Sequence, residues 1–252
     1  GVTTNNVLGV TIVLIDGRVL IGLSQEIAPG LETVGVMRPT SPLHALLLRS
    51  ADRPLVVTSG NVDGHPLAYD SATAPLELQA VADLILDHNR TIVRPVDDSV
   101  VHCIAGREVT IRAARGIAPL LLPLASDRQV LAVGGHQKGA IALSNGRQCV
   151  LGPHLGDLDT TAARERYVEQ AQALQRLYDV QPELVAHDLH PDYFTTRWSA
   201  TLGIPTMAVQ HHHAHIAAGM LEHAWLDREV LGIAFDGTGL GSDGTIWGGE
   251  FL

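Results

Sequence analysis

Apolar residues recur along the chain at two spacings, one typical of strands and one of helices. Near the start, a β-rich run at 10–15 is followed by Asp16-Gly17, which predicts a hairpin. The other elements predicted in this half are a helix at 43–49, a buried strand at 54–58, a helix at 76–87, and strands at 93–104 and 109–113. The stretch 119–127 is rich in Pro and Leu, which indicates a linker.

Beyond the linker, strands and helices alternate. The elements predicted there are strands at 130–133, 184–188, 206–209 and 230–235, a hairpin over 140–151 with its turn at Asn145-Gly146, and helices at 160–178, 195–202 and 212–224. Such alternation is typical of an α/β domain with a largely parallel sheet beside a hairpin. We therefore predict an α/β protein with α+β character in its first domain. The predicted domains are 1–120 and 129–252, joined by a linker at 121–128.

Composition narrows the function classes. A net charge of -10 is a poor match to nucleic-acid binding, which needs a basic face. No run of about 18 apolar residues occurs, so no membrane span is expected. The two cysteines, Cys103 and Cys149, have no metal-ligand spacing, which suits a reducing, cytoplasmic compartment. The start has no signal-peptide pattern, and both ends are expected to be cut from a longer protein.

The strongest chemical signal is a histidine cluster, in which four of the five residues 211–215 are His. On a helix, His211 and His215 are one turn apart and project from the same face, so their imidazoles can bind one cation. His212 and His213 point elsewhere, and either orient the ligands or contact substrate. The plainer alternative is a structural or surface cluster.

A third ligand is expected at Asp236, which follows the strand predicted at 230–235. A carboxylate at the carboxyl edge of a sheet lies where α/β proteins place their sites. Two His and one carboxylate with open positions suit Fe(II), Zn or Mn.

Two glycine-rich stretches are candidate phosphate turns. Gly237, Gly239 and Gly241 follow Asp236, and Gly134-Gly135 leads to Lys138. Glycines let backbone amides approach an anion closely, although a plain turn is the alternative for each. A pair of such turns in one domain is similar to the actin-like ATPase plan.

Polar residues of the first half form a second candidate set, suited to holding a nucleotide triphosphate and its Mg²⁺. Taken alone, each of these residues also fits an ordinary structural role, such as a solvated carboxylate or a turn residue. The members are Ser59, Gly60, Asn61, Arg90, Asp98, Ser99, Arg112 and Arg115.

These motifs occur in an order that resembles the HypF-type carbamoyltransferases of [NiFe]-hydrogenase maturation. The first set resembles their YrdC-like domain: Ile27-Ala28-Pro29-Gly30-Leu31, Val34-Gly35-Val36-Met37, Thr58-Ser59-Gly60-Asn61, His88-Asn89-Arg90, Asp97-Asp98-Ser99-Val100 and Arg112 to Gly116. The second set resembles their actin-like (ASKHA) metal domain: His154 to Leu158, Val185 to Pro191, His211 to His215 and Asp236 to Gly241. The resemblance implies a partial YrdC-like domain followed by a partial actin-like domain.

The resemblance also implies an activity. The first domain makes carbamoyl-adenylate from carbamoyl phosphate and ATP with Mg²⁺. The second, holding iron or zinc, transfers the carbamoyl group to the C-terminal cysteine of a HypE-like acceptor protein.

By the same resemblance, His211, His215 and Asp236 are the metal ligands. The resemblance also implies that Ser59, Asn61, Arg90, Ser99 and Arg115 form the adenylate site and that Lys138, His154 and Asp157 line a second nucleotide site. We further predict nucleotide or carbamoyl-adenylate contacts at Gly60, Asp98, Arg112, Gly237, Gly239 and Gly241, and catalytic roles for Lys138, His154, Asp157 and His212.

Several features depart from the family, and other functions stay open. The basic substrate-binding motif and the second half of the metal domain are absent, and the segment 1–20 matches poorly, so the isolated chain is expected to be inactive. An O-carbamoyltransferase acting on a small-molecule hydroxyl is one alternative. An inactive metal- or nucleotide-binding fragment and a threonylcarbamoyl-transferase for tRNA are the others.

Overall fold

The chain divides into two compact units, Gly1–Asp63 and Gly64–Leu252, each described by itself. The computed structural model describes residues 11–13, 19–21, 39, 41–53, 55, 57, 59–62, 65–124 and 126–252. The predicted domain boundaries at 120 and 129 stay a prediction.

The described residues of the first unit form a short hairpin and a helix. Strands β1 (Thr11–Val13) and β2 (Val19–Ile21) pair antiparallel, which confirms the predicted hairpin, although its turn lies outside the described residues. Helix α1 (Pro42–Ala51) begins after Ser41, whose hydroxyl accepts the N–H of His44 at 3.2 Å. The strand predicted at 54–58 lies largely outside the described residues.

The second unit opens with little regular structure. Helix α2 (Ala74–Leu78) is only 5 residues long, so the helix predicted over 76–87 is wrong beyond Leu78. Leu84 is 92% exposed, and an apolar stripe without a partner surface does not hold a helix together. Strands β3 (Val100–Ile104) and β4 (Arg107–Arg112) then form an antiparallel hairpin.

A six-stranded sheet is the centre of the second unit. Its strands are β5 (Leu120–Leu122), β6 (Gln129–Ala132), β7 (Ala142–Asn145), β8 (Cys149–Leu151), β9 (Leu184–Asp188) and β10 (Thr206–Val209). Their order is β10-β9-β6-β7-β8-β5, with β9 parallel to both β6 and β10 and the other pairs antiparallel. The sheet is mixed, not largely parallel as predicted, because the hairpin joins it. The first two residues of the predicted linker, 121 and 122, belong to β5 and therefore lie in the sheet.

Three helices accompany this sheet: α3 (Thr161–Tyr178), α4 (Phe194–Thr201) and α5 (His211–Glu222). Each lies within two residues of its predicted bounds. Thr160 caps α3 by accepting the N–H of Ala163 at 3.2 Å. Among the described residues, no helix combines the length and apolar composition needed to cross a bilayer.

The core lies between α3 and the sheet. Leu131, Ile141 and Tyr167 are fully buried there. The Tyr167 hydroxyl donates to the carbonyl of Val133 at 2.5 Å, and burial raises its pKa. This bond attaches α3 to the end of β6, just before the glycine-rich turn at 134–138.

The last element is a hairpin of β11 (Ile233–Leu240) and β12 (Ile246–Phe251). The strand predicted to stop before Asp236 continues to Leu240, so Asp236 lies inside a strand. The register shifts between Phe235 and Gly239, and such an irregularity accommodates the glycines. A Cβ at Gly239 would stand 2.3 Å from Cε1 of His212, so only glycine fits where β11 crosses α5.

Candidate metal centre

The two histidines of the site owe their alignment to the start of α5. Gln210 is extended, and its side-chain oxygen accepts the N–H of His213 at 2.8 Å, which caps the helix. The helix therefore begins at His211 and brings His215 onto the same face one turn later. Their ring centroids are 4.9 Å apart.

Asp236 meets both rings from β11. Its Oδ2 lies 2.9 Å from Nε2 of His211 and 3.0 Å from Nε2 of His215. The three side chains offer ligand atoms that all lie within 4.8 Å of one another. The structure thus brings together the three residues expected to bind metal, although their ligand role stays a prediction.

The donor set fits a divalent metal. Imidazole and carboxylate are ligands of Zn²⁺ and Fe²⁺, at bonds of about 2.0–2.2 Å. A tetrahedral ion with such bonds separates its ligand atoms by about 3.4 Å, so Oδ2 of Asp236 would need to move about 0.5 Å farther from each imidazole nitrogen. Asp236 and His215 are 37% and 56% exposed, which leaves the open side of the cluster accessible to substrate.

Asp188 is a fourth side chain at this site, and sequence reasoning did not select it. It ends β9, is buried, and its Oδ2 lies 2.6 Å from Nδ1 of His211. The available signal was a polar residue at the carboxyl end of the buried strand 184–188. Its contact with His211 became visible only when β9 and α5 were placed together.

His212 is fully buried beneath β11. The amide nitrogen of Gln210 donates to its Nδ1 at 3.1 Å, which leaves Nε2–H to donate to the carbonyl of Asp236 at 3.1 Å. The same amide donates to the carbonyl of Leu240 at 3.2 Å. Of the two roles considered for His212, this geometry fits that of orienting a ligand, and its catalytic role stays a prediction.

The glycine-rich turn at 134–138 lines the same open cleft as His211, His215 and Asp236, with a volume of about 870 Å³. Lys138 has a φ of 50°, and its N–H donates to Oδ1 of Asp157 at 2.7 Å. The structure therefore places Lys138 and Asp157 in contact, with the turn beside the metal cluster. Thr238 of the second glycine-rich stretch lines the cleft as well.

His154 lies where the first-half residues meet the sheet. Its backbone N–H donates to the carbonyl of Ala113 at 2.8 Å. Burial lowers the pKa of His154, and the neighbouring charge of Arg112 lowers it further. Asp97, Asp157 and Lys138 are also charged neighbours of His154; the two carboxylates raise its pKa and the ammonium group lowers it.

Three residues of the predicted nucleotide set come together beside β3 and β4. Asp98 forms an ion pair with Arg115, whose Nε donates to Oδ1 at 3.0 Å. The hydroxyl of Ser99 accepts the N–H of Ala114 at 2.8 Å and donates to the carbonyl of Arg115 at 3.0 Å. Arg115 thus has a carboxylate partner already, which a phosphate would have to share or replace.

The remaining predicted nucleotide residues belong to several different parts of the chain. Arg90 is exposed on a loop of the second unit. Gly237 and Gly239 lie in β11, and Gly241 follows it. Ser59, Gly60 and Asn61 belong to the first unit.

Metal binding at this site is expected to weaken as the pH falls. The hydrogen bond with Asp188 raises the pKa of His211 above its ordinary value of about 6.5, although burial opposes it. The bound form needs Nε2 free of its proton, so affinity is full above this raised pKa and declines below it. Burial raises the pKa of Asp236, but hydrogen bonds from His215 and His211 outweigh burial and bring it below its ordinary value.

Competition with a chelator for Zn²⁺ between about pH 5.5 and 8.5 would measure this decline, after correction for the chelator's own titration. The decline should begin at a higher pH than an ordinary histidine would give. An affinity that stays constant through this range would contradict the involvement of His211.

Two family models match this chain. One, described as HypF Kae1-like domain, matches residues 125–222. The other, described as Telomere recombination and covering the Sua5, YciO and YrdC proteins, matches residues 7–114. The two matches occur in the predicted order.

Curated relatives extend the match over nearly the whole chain. The carbamoyltransferase HypF of Synechocystis sp. is 46% identical over 243 residues, covering 96% of this chain and 32% of that protein. HypF of Rhodobacter capsulatus is 43% identical over 240 residues, covering 91% of this chain and 32% of the relative. The chain thus spans about a third of the length of these relatives.

Solved structures agree in fold. A full-length HypF in a phosphate- and nucleotide-bound form superposes with a TM-score of 0.82 at 46% identity, covering 88% of this chain and 35% of that one. The structure of T. kodakarensis HypF also superposes with a TM-score of 0.82, at 34% identity, and the match covers 90% of this chain and 30% of that chain. The predicted fold class is confirmed, and the chain belongs to the HypF family, of which it carries a YrdC-like region followed by a Kae1-like region.

Proposed function

We propose that this protein acts as a HypF-type carbamoyltransferase, which activates carbamoyl phosphate with ATP and transfers the carbamoyl group to a C-terminal cysteine of a HypE-like acceptor. Family membership supports the transferase class. The nucleotide- and phosphate-bound state named for a related HypF structure is consistent with phosphorylated substrates. A cytoplasmic location belongs to the same proposal.

One observation carries the proposal within this chain. The cluster of His211, His215 and Asp236 opens onto the same cleft as the glycine-rich turn ending at Lys138. Backbone amides and an ammonium group suit a phosphate, and the imidazole and carboxylate ligands suit a metal. An adenylate bound there would have its phosphate and its carbamoyl group within one site.

The proposed chemistry has two stages. In the first, carbamoyl phosphate loses inorganic phosphate to water, the resulting carbamate oxygen attacks the α-phosphorus of ATP, and pyrophosphate leaves. In the second, the acceptor thiolate attacks the carbamoyl carbon, and AMP leaves with the electrons of the broken C–O bond. The product is an S-carbamoyl cysteine.

The residues of the cleft have distinct tasks in this scheme. Lys138 and the amides of the turn bind the adenylate phosphate, whose charge they offset. His211, His215 and Asp236 would hold the divalent metal, iron or zinc, which would supply Lewis acidity at this end of the cleft. Asp157 accepts from the backbone of Lys138 and so holds the turn in shape.

In the first half, Arg115 and Ser99 are the proposed carbamoyl-adenylate contacts, with Asp98 orienting the guanidinium. Arg112 is a further candidate because it neighbours His154. Mg²⁺ is expected to accompany ATP rather than to reside in the protein.

Transfer of label from ¹⁴C-carbamoyl phosphate to a cysteine-ended acceptor peptide, with ATP, tests the proposal in the full-length protein. We expect labelled peptide that requires ATP. A matched peptide ending in serine serves as the control for the acceptor. Label on the serine peptide or on a small-molecule hydroxyl, with none on cysteine, would instead identify an O-carbamoyltransferase. Metal binding without any transfer would indicate a binding module.

A further inference from the structure

We propose that Asp188 is a positioning residue of the metal centre, which holds the imidazole of His211 in the tautomer and orientation that a metal requires. The inference rests on the metal centre proposed above and deepens it. Asp188 is not among the three ligands, since its carboxylate contacts the opposite nitrogen of the His211 ring.

The two ring nitrogens of His211 have different acidic partners. Nδ1 lies 2.6 Å from Oδ2 of Asp188, and Nε2 lies 2.9 Å from Oδ2 of Asp236. A carboxylate oxygen only accepts, so each ring nitrogen faces an acceptor for its proton. A metal bound among His211, His215 and Asp236 would take the place of the proton on Nε2, while buried Asp188 would keep the proton on Nδ1.

The Asp188 carboxylate is itself held in place. Its second oxygen, Oδ1, accepts the backbone N–H of His190 at 2.8 Å. The side chain is 6% exposed, so water competes little for it. A buried carboxylate that is bonded through both oxygens has one orientation available, and the ring it bonds shares that constraint.

The backbone beneath Asp188 is equally constrained. Asp188 is the last residue of β9, and its partner in β10 is Val209, two residues before His211. Its carbonyl also accepts the hydroxyl of Thr196 in α4 at 3.1 Å. The sheet therefore fixes both the carboxylate and the start of the helix that carries His211.

Gly135 of the glycine-rich turn lies beside this pair. A Cβ on Gly135 would lie 3.8 Å from Oδ2 of Asp188 and 3.9 Å from Cε1 of His211, in ordinary contact. The ring of Tyr193 borders the same point at 3.9 Å. The glycine-rich turn therefore lies close to the Asp188–His211 pair and so to the metal cluster.

His215 offers a contrast. The His215 side chain is 56% exposed, against 24% for that of His211. Within the described part of the chain, its side chain hydrogen-bonds only to Asp236, through Nε2. Carboxylate–histidine–metal arrangements orient a ligand and raise its basicity, and their loss typically lowers metal affinity about 10- to 100-fold. The structure assigns this support to His211.

The test is the affinity of the full-length protein for Co²⁺ and Zn²⁺ after Asp188→Asn, measured by chelator competition and by the visible absorption of bound Co²⁺. Asn is of equal size and retains an oxygen for the N–H of His190, but it has no charge and can present N–H to the ring. We expect affinity to fall about 10- to 100-fold, with a changed Co²⁺ spectrum.

Asp159→Asn is the matched control, because Asp159 makes a similar contact with a histidine that is not a proposed ligand. Its Oδ1 lies 3.1 Å from Nε2 of His136. The control should leave metal affinity within about twofold, as expected for a partner outside the ligand shell.

A double-mutant cycle separates positioning from a purely structural role. In a His211→Ala background, Asp188→Asn should cause no further loss of the residual affinity, because Asp188 acts through that ring. Equal losses in both backgrounds, an unchanged affinity in wild-type background, or loss of the folded circular dichroism spectrum would each overturn the inference. If wild type itself binds no metal, the proposed centre fails and the inference with it. Metal binding that Asp188→Asn leaves intact refutes only the inference.

Discussion

Replacing His211 or Asp236 with alanine is expected to reduce the metal content of the purified full-length protein from about one ion per chain to background. Each of these side chains supplies one of three converging ligand atoms. Loss of a supporting partner already costs about 10- to 100-fold in affinity, so loss of a ligand should cost more than about 100-fold. Inductively coupled plasma mass spectrometry measures the content directly.

His213→Ala is the control for this experiment. His213 belongs to the same helix turn, but it is exposed, and only its backbone N–H takes part in the cap. The His213→Ala variant should therefore retain its metal. If wild type holds no metal, or if both His211→Ala and Asp236→Ala retain it, the histidine cluster is structural and the site assignment is wrong.

Tyr167→Ala is expected to have the largest effect on stability. The ring is fully buried against Phe194 and Trp198, at centroid distances of 6.3 and 5.8 Å in edge-to-face geometry. Truncating a buried aromatic side chain costs about 3–5 kcal/mol through lost burial and the cavity left behind. Urea unfolding followed by circular dichroism gives this difference.

Tyr167→Phe separates the hydroxyl from the ring. It leaves the packing in place and removes only the donor to the carbonyl of Val133, which should cost about 1 kcal/mol. Because Val133 precedes the glycine-rich turn, Tyr167→Phe should also loosen that turn. Equal losses for the two variants would show that packing of the ring contributes little.

Local patterns were enough for much of the second unit. The apolar strand 184–188, the helix capped by Thr160 and the hairpin turning at Asn145-Gly146 were all predicted close to their observed bounds. These elements bury a face in the common core, so their pattern records the burial that stabilises them. The predicted helix over 76–87 lacks such a surface, and it ends at Leu78.

The metal cluster was predictable from the sequence only in part. The spacing of His211 and His215 follows from helix geometry and could be read directly. Asp236 was predicted to follow the end of a strand, but it lies inside β11. Its approach to the two rings depends on how β11 crosses α5, and Gly239 permits that crossing by leaving room for His212.

The α/β alternation, the helix with two aligned imidazoles and the family resemblance could be read from local patterns, because they depend on neighbours within a few residues or on ordered motifs. Long-range contacts were needed to show that the sheet is mixed, that Asp188 faces Nδ1 of His211, and that Arg112 neighbours His154. Those pairings join residues that are far apart in the chain. Such contacts form by burial of shared surfaces, and that burial leaves no periodic signal around either residue.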